Sequence, residues 1–153
     1  MRRVKAQDTS PEIAVRQLLR AAGETGYRLH RKDLPGKPDI AFIGRKLAIF
    51  VHGCFWHGHD CARGRRVPES NREYWIAKIA KNKARDSANQ EVLKKNGWKI
   101  MIVWECEIKS KAVVSKNIHR FLSSNTSYIP LVHEVRITGL CDFALLVLYN
   151  GTF

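Results

Sequence analysis

Asp39-Ile40-Ala41-Phe42-Ile43-Gly44-Arg45-Lys46-Leu47-Ala48-Ile49-Phe50-Val51-His52 reads as two strands joined by a tight turn. If the turn is Gly44-Arg45, residue 43 pairs with 46 and Asp39 lies opposite Phe50. Side chains alternate faces along a strand. Ile40, Phe42, Leu47, Ile49 and Val51 then share one apolar face, and Asp39, Phe50 and His52 share the other. A three-residue loop would reverse this parity, so the assignment of faces depends on the turn.

The second strand runs into Val51-His52-Gly53-Cys54-Phe55-Trp56-His57-Gly58-His59-Asp60-Cys61, which holds three His, two Cys and two aromatic residues. Packing alone is a poor account of such a mixture. Cys54, His59 and Cys61 are three soft or borderline ligands, and a structural zinc site wants a fourth from elsewhere in the chain. Cys106, at the end of a later apolar run, is the natural candidate; His57 and Asp60 are substitutes. Buried cysteines beside incidental histidines are the plainer alternative. His52 and His57 lie outside that set. With Asp39 on the same face they suggest hydrolysis, because a carboxylate can bind Mg²⁺ and an imidazole can move a proton near neutrality.

Upstream, residues 1–8 are polar and basic and read as a mobile arm. Thr9-Ser10-Pro11-Glu12 is a helix start with a capping box. Ile13, Leu18, Leu19 and Ala22 form its apolar face, and Gly23 and Gly26 close it. Capping alone accounts for Glu12 as well as any catalytic role does. Residues 27–33 read as a short strand and 34–38 as a turn. Downstream comes a basic loop with Arg63, Arg65 and Arg66. A helix over 69–96 follows, capped by Ser70 or Asn71 and stopped by Gly97. Trp75, Ile76, Ile79, Ala80 and Leu93 give it an apolar stripe, which on periodicity alone makes Trp75 a core residue. Lys78, Lys81, Lys83 and Arg85 cluster on its surface, as a solvated face or a phosphate-tracking one. Residues 98–104 read as a buried strand, 112–124 as a last helix, and 133–138 and 143–149 as further strands. Cys141 reads as a buried thiol.

A chain of 153 residues with 44% hydrophobic and 27% charged content fits one soluble domain spanning 1–153. No apolar run reaches the roughly 20 residues of a membrane span. Residues 1–5 lead into no apolar signal region, so a cytoplasmic protein is expected. The net charge of +13, from 27 Lys and Arg against 14 Asp and Glu, favours a polyanionic partner. Four cysteines without a secretion signal suggest metal ligands or thiols rather than disulfides.

Four blocks in register carry a family likeness. They are Leu34-Pro35-Gly36-Lys37-Pro38-Asp39, then Phe50-Val51-His52-Gly53-Cys54-Phe55-Trp56-His57-Gly58-His59-Asp60-Cys61, then Tyr74-Trp75 through Asp86, then Gly97-Trp98 through Val103-Trp104-Glu105-Cys106. From about Asp8 to Ile108 the chain resembles the very-short-patch-repair (Vsr) DNA mismatch endonucleases; residues 110–153 carry no such signal, and their role stays open.

The resemblance implies an α/β, restriction-endonuclease-like core of the PD-(D/E)xK type, a mixed sheet flanked by helices with a structural zinc site. Phe50-Val51-His52 stands where that pattern has acid-x-Lys. By the same resemblance Asp39 and the main-chain carbonyl of Val51 bind a catalytic Mg²⁺; family members often have Thr at the latter position. His57 is a general base or orients water, His52 supports it, and Glu12 reaches in from the first helix. Cys54, His59, Cys61 and Cys106 hold the structural Zn²⁺. Phe55, Trp56 and Trp75 are wedges that open the stack at a weakly paired mismatch. Arg63, Arg65, Arg66, Lys78 and the arm hold phosphates.

The implied activity is a nick 5′ to the T of a T:G mismatch left by 5-methylcytosine deamination. It implies double-stranded DNA as partner, a docking mismatch-repair protein, a monomer, and a place in the bacterial cytoplasm at the nucleoid. A zinc-stabilised DNA-binding module with an unused nuclease site is the alternative of a different class. A restriction-type or general nicking nuclease of the same fold is the other.

Overall fold

The computed structural model describes residues 7–124. Among these, three helices and four strands run in the order α1 (Ser10–Ala21), β1 (Arg28–Leu29), β2 (Ile40–Phe42), β3 (Leu47–His52), α2 (Arg72–Lys95), β4 (Lys99–Trp104) and α3 (Lys111–Ser123). The strands form one mixed sheet in the order β1-β2-β3-β4. β1 with β2 and β2 with β3 are antiparallel, whereas β3 and β4 are parallel.

The hairpin has the expected register. Ile40 faces Ile49, Ala41 faces Ala48 and Phe42 faces Leu47. Its turn is centred on Gly44-Arg45, closed by the Lys46 N–H to the Ile43 carbonyl at 3.1 Å. Ile43 lies opposite Lys46 as expected, so the face assignment holds. Ile40, Phe42, Leu47 and Ile49 join Val15, Leu19, Val103, Val114, Ile118 and Leu122 in one core, with Val51 packed against it. The opposite face carries a smaller cluster of Ala48, Phe50 and Leu93, supported by Leu34, Trp98, Ile100 and Ile102. Helices α1 and α3 therefore cover one face of the sheet, and the end of α2 covers the other.

Three sequence expectations shift. In α1 the buried residues are Glu12, Val15 and Leu19, while Ile13 is exposed. The inward stripe follows 12, 15 and 19, one residue's turn away from Ile13. In α2 only Leu93 is buried, and Ile76 and Val92 are exposed. Only the C-terminal end of that helix rests on the sheet. Its N-terminal part lies over the loop 53–61, where Gly58 has φ +59 and a Cβ would come within 2.8 Å of Ile79 Cγ2. β4 is half-buried rather than buried, because it is the last strand in the sheet order.

Asn71 precedes α2 as expected but makes no side-chain cap, and Gly97, at φ +79, follows its end. The expected strand at 27–33 shortens to Arg28–Leu29, and the last helix is found. Asp8, placed in the arm, is tied down by its N–H to Glu12 Oε2 at 3.0 Å and by Arg16 Nη2 at 2.6 Å. The rest of the arm at 1–6, the strands expected at 133–138 and 143–149, and Cys141 lie outside the described residues.

Leu93 is fully buried at the centre of the smaller cluster. Leu93→Ala should cost about 2–4 kcal/mol, the sum of lost transfer energy and a residual cavity. Urea unfolding should show this as a lower midpoint with an unchanged slope.

Candidate active site and metal centre

Asp39 stands immediately before β2, and His52 ends β3. The antiparallel pairing brings both to one edge of the sheet. There the Val51 N–H donates to Asp39 Oδ2 at 2.7 Å. A strand residue's N–H and carbonyl point to the same side, so the Val51 carbonyl opens beside the Asp39 carboxylate. Burial pushes the Asp39 carboxyl up to about 6; the Val51 N–H opposes this, and the nearby Glu12 charge adds to it.

Glu12 is buried. It accepts from Thr9 Oγ1 at 2.7 Å and from the Asp8 N–H at 3.0 Å. Capping and placement at the cleft are thus one geometry, and the two readings of Glu12 do not compete. His30 lies between the two carboxylates, with Nε2 3.6 Å from Glu12 Oε2 and Nδ1 4.0 Å from Asp39 Oδ1. Its backbone sits at φ +47. The sequence reading missed His30; its only signal was a histidine on the strand that pairs with Asp39's.

His52 is buried, and its ring stacks on His57 at 3.9 Å and 8°. Burial, and then the neighbouring His57, push the His52 imidazole down to about 4. His57 Nδ1 lies 2.5 Å from Asp86 Oδ2 on α2. Asp86 was also missed, since nothing local to a long polar helix shows which loop it crosses.

Glu12, Asp39, His52, His57 and Asp86 all line one cleft of about 1640 Å³, larger than the roughly 300–1,000 Å³ of small-molecule pockets. Phe55, Trp56, Arg63 and Arg66 are on its walls, with Lys37 of the first block, Arg85 of the basic cluster on α2, and Lys32, Asn89 and Gln90, which no motif singled out. Trp75, Arg65 and Lys78 are not among the lining residues. Trp75 nevertheless completes an aromatic patch, 5.5 Å from Phe55 and 5.9 Å from Trp56. It is half-buried outside both cores, so core packing is not its role. Arg63 pairs with Glu105 at 3.1 Å and Arg65 with Asp60 at 2.7 Å; Lys78 is exposed on α2.

Behind the cleft, Cys54, His59, Cys61 and Cys106 offer ligand atoms that all lie within 4.8 Å of one another. Tetrahedral zinc with Zn–S of about 2.3 Å and Zn–N of about 2.0–2.1 Å implies ligand–ligand edges of about 3.5–3.8 Å. Cys106 Sγ and His59 Nδ1 are 3.4 Å apart. Three sulfurs and one imidazole thus fit a closed zinc site. The alternatives His57 and Asp60 drop out: His57 is engaged with Asp86, and Asp60 with Arg65. Gly64 makes the knuckle possible. Its N–H reaches Cys61 Sγ at 3.4 Å, and a Cβ there would sit 2.0 Å from the His59 carbonyl oxygen. Burial raises the Cys54 thiol, while the Gly64 N–H lowers that of Cys61.

Carboxylates and imidazoles on the floor of a cationic cleft, with aromatic rings on its wall, are groups that can bind a polyanion and move protons. Comparison with known proteins agrees. Residues 1–63 match the family described as DNA mismatch endonuclease Vsr. The chain is 46% identical over 122 residues to the type II nicking enzyme V.XorIIP of Xanthomonas oryzae pv. oryzae, covering 80% of this chain and 88% of that one. It is 42% identical over 122 residues to the type II nicking enzyme V.NmeAIP of Neisseria meningitidis, covering 80% and 86%. It is 38% identical over 111 residues to the DNA mismatch endonuclease Vsr of Escherichia coli, covering 72% and 70%. The chain belongs to the Vsr family, and it is a DNA endonuclease.

The His52 shift has a testable sign. Between about pH 6.5 and 4 the unfolded chain binds a proton at residue 52 that the folded chain does not, so stability falls as pH falls through that window. The difference is at most about 3 kcal/mol. Asp39, shifted upward, acts in the opposite sense between pH 3.8 and about 6. Denaturant titrations of wild type and His52→Gln across pH 4–8 should separate the two: the variant should lose the acid sensitivity carried by residue 52 and keep the opposing Asp39 slope.

Proposed function

We propose that this protein nicks one DNA strand 5′ to the T of a T:G mismatch arising from 5-methylcytosine deamination, by Mg²⁺-dependent hydrolysis. The observation that carries the reading is the gathering of Asp39, His52 and His57 in one cleft beside Phe55 and Trp56. The relatives add support, since two are named nicking enzymes and one a mismatch endonuclease. We read the sheet as a restriction-endonuclease-like core, with Pro38-Asp39 leading into β2 and Phe50-Val51-His52 on β3.

The residues suit the metal. Asp39 and the Val51 carbonyl would hold Mg²⁺, a cation that keeps most of its ligands as water and phosphate oxygens. It would supply neutralisation of charge on the phosphoryl oxygens. The protein does the rest. A carboxylate only accepts, so Asp86 fixes Nδ1 of His57 as the donor and leaves the Nε2 lone pair to take a proton from water. His52, kept neutral by burial, holds the plane of that ring without adding a second positive charge. Glu12 brings a second carboxylate to the cleft from α1. Zinc would hold Cys54, His59, Cys61 and Cys106 together and has no open position for substrate.

Phe55, Trp56 and Trp75 present rings that can enter a stack, where unstacking costs a few kcal/mol per step and least at a poorly paired base. Arg63, Arg65, Arg66 and Lys78 are assigned to phosphates. The reading includes a monomer acting at the bacterial nucleoid, with a mismatch-repair protein as a docking partner. Among the described residues no helix is long and apolar enough to cross a membrane.

Strand-resolved cleavage with Mg²⁺ tests the reading, using a T:G duplex in a methyltransferase-type sequence and its C:G counterpart. The expected product is a nick in the T strand of the mismatch alone. Cleavage of both duplexes would make this a general nicking nuclease, and tight binding without a cut would make it a binding module. Asp39→Ala should lower nicking by on the order of 10²–10³-fold or more while mismatch binding persists. Metal analysis should find about one zinc per chain. Cys106→Ala should lose that zinc and melt at a lower temperature; a variant that keeps it would exclude Cys106 as the fourth ligand.

A further inference from the structure

The cysteine cluster and the imidazole pair are separate centres, yet one side chain touches both. Trp104 is the last residue of β4, and its partner in the register is His52. The Glu105 N–H to the His52 carbonyl, at 2.9 Å, sets the height of one strand end against the other. The Trp104 N–H is itself held by Glu107 Oε2 at 2.9 Å. Two residues further on, Cys106 enters the metal cluster.

The indole is packed on two sides. His59 stacks on it at 4.2 Å and 14°. His52 meets it at 5.3 Å and 73°, an edge-to-face contact. Beyond His52 comes the 3.9 Å stack on His57, and beyond that the Asp86 carboxylate. Five side chains thus run without a break from the metal cluster to α2. Among the described residues, neither ring nitrogen of His52 has a hydrogen-bond partner. Ring packing, not hydrogen bonding, therefore sets the plane of His52 and, through it, that of His57. Three rings pack on His52: Phe50 at 5.8 Å and 61°, which belongs to the smaller core, His57, which is the ring to be positioned, and Trp104, which alone of the three also stacks on a residue of the cysteine cluster.

We propose that Trp104 is a positioning residue that ties the imidazole pair His52–His57 to the Cys54/His59/Cys61/Cys106 cluster. It rests on the reading of His52 and His57 as the imidazoles of hydrolysis. The closed metal cluster then has a second task besides stability: with His59 fixed, the indole plane is fixed, and the reacting ring inherits its orientation. An aliphatic residue of similar burial fills the space but presents no plane to either histidine.

The test is a double-mutant cycle on Trp104→Leu and His52→Gln, with Trp104→Phe as the conservative variant. Single-turnover nicking, mismatch-duplex affinity and zinc content are measured for each protein. Trp104→Leu should keep its zinc and bind duplex within about twofold of wild type while nicking about 10–100-fold more slowly, the cost of a misplaced reacting group. Trp104→Phe should recover most of the rate. The double variant should be no slower than His52→Gln alone, because both changes act through one ring. Should Trp104→Leu shed zinc, Trp104→Met, which fills the space with an unbranched chain and presents no ring plane to His52, carries the same cycle. A wild-type rate in Trp104→Leu, or rate losses that multiply in the double variant, overturns the proposal. If the wild type nicks no duplex, the functional reading fails on its own, and urea unfolding of the same proteins decides the coupling: non-additive losses uphold it and additive ones overturn it.

Discussion

The parallel pairing of β3 with β4 is the contact on which both chemical centres depend. It runs over six residue pairs, from Leu47 with Lys99 to His52 with Trp104. One strand delivers His52 and, just beyond it, the knuckle containing Cys54, His59 and Cys61. The other delivers Trp104 and Cys106. A parallel pair needs a long crossover, and here the crossover contains the knuckle, the basic loop and α2. The same topological requirement that closes the sheet therefore carries Asp86 over the imidazoles and the aromatic patch to the rim of the cleft.

The cleft is built at an electrostatic cost that its neighbours limit rather than remove. Glu12 and Asp39 are partly or fully withdrawn from water and repel each other, and the Asp39 carboxyl rises accordingly. Opposing this are one N–H from Val51 and the imidazole of His30. A cation beside Asp39 would remove the repulsion. His52 makes the complementary compromise. Buried among Phe50, His57 and Trp104, it gives up its own charge. Cationic side chains are instead spread around the rim, at Arg63, Arg66, Lys32, Lys37 and Arg85, where water still reaches them and a phosphate backbone would lie.

Much of this was legible before any coordinates. The Asp39–His52 hairpin was read in its correct register because alternation leaves few options once one face must be apolar. The parity held because Gly44 and Arg45 are the centre of the turn that Ile43 and Lys46 close. The gathering of Cys54, His59 and Cys61 was legible because soft groups cluster in sequence only under chemical demand, and that of Cys106 because it followed a strand end. What failed was periodicity on helices. Ile13, Ile76 and Ala80 are exposed and Trp75 and Ile79 only half-buried, because an apolar residue is buried only where another element covers it, and the sheet is too narrow to cover α2 along its length.

By itself the chain determined its hairpin, the first and last helices, the members of the cysteine–histidine cluster, the cationic character and the family to which it belongs. These are properties of local spacing, composition and motif. Tertiary structure alone decided that His30 stands between Glu12 and Asp39, that Asp86 meets His57, and that Trp104 lies between His59 and His52. Each of these joins segments far apart in the chain by contacts of side chains whose neighbours along the sequence carry no record of them. Pattern within a window shows which face of an element turns inward; only the docking of one element on another selects which residues meet across it.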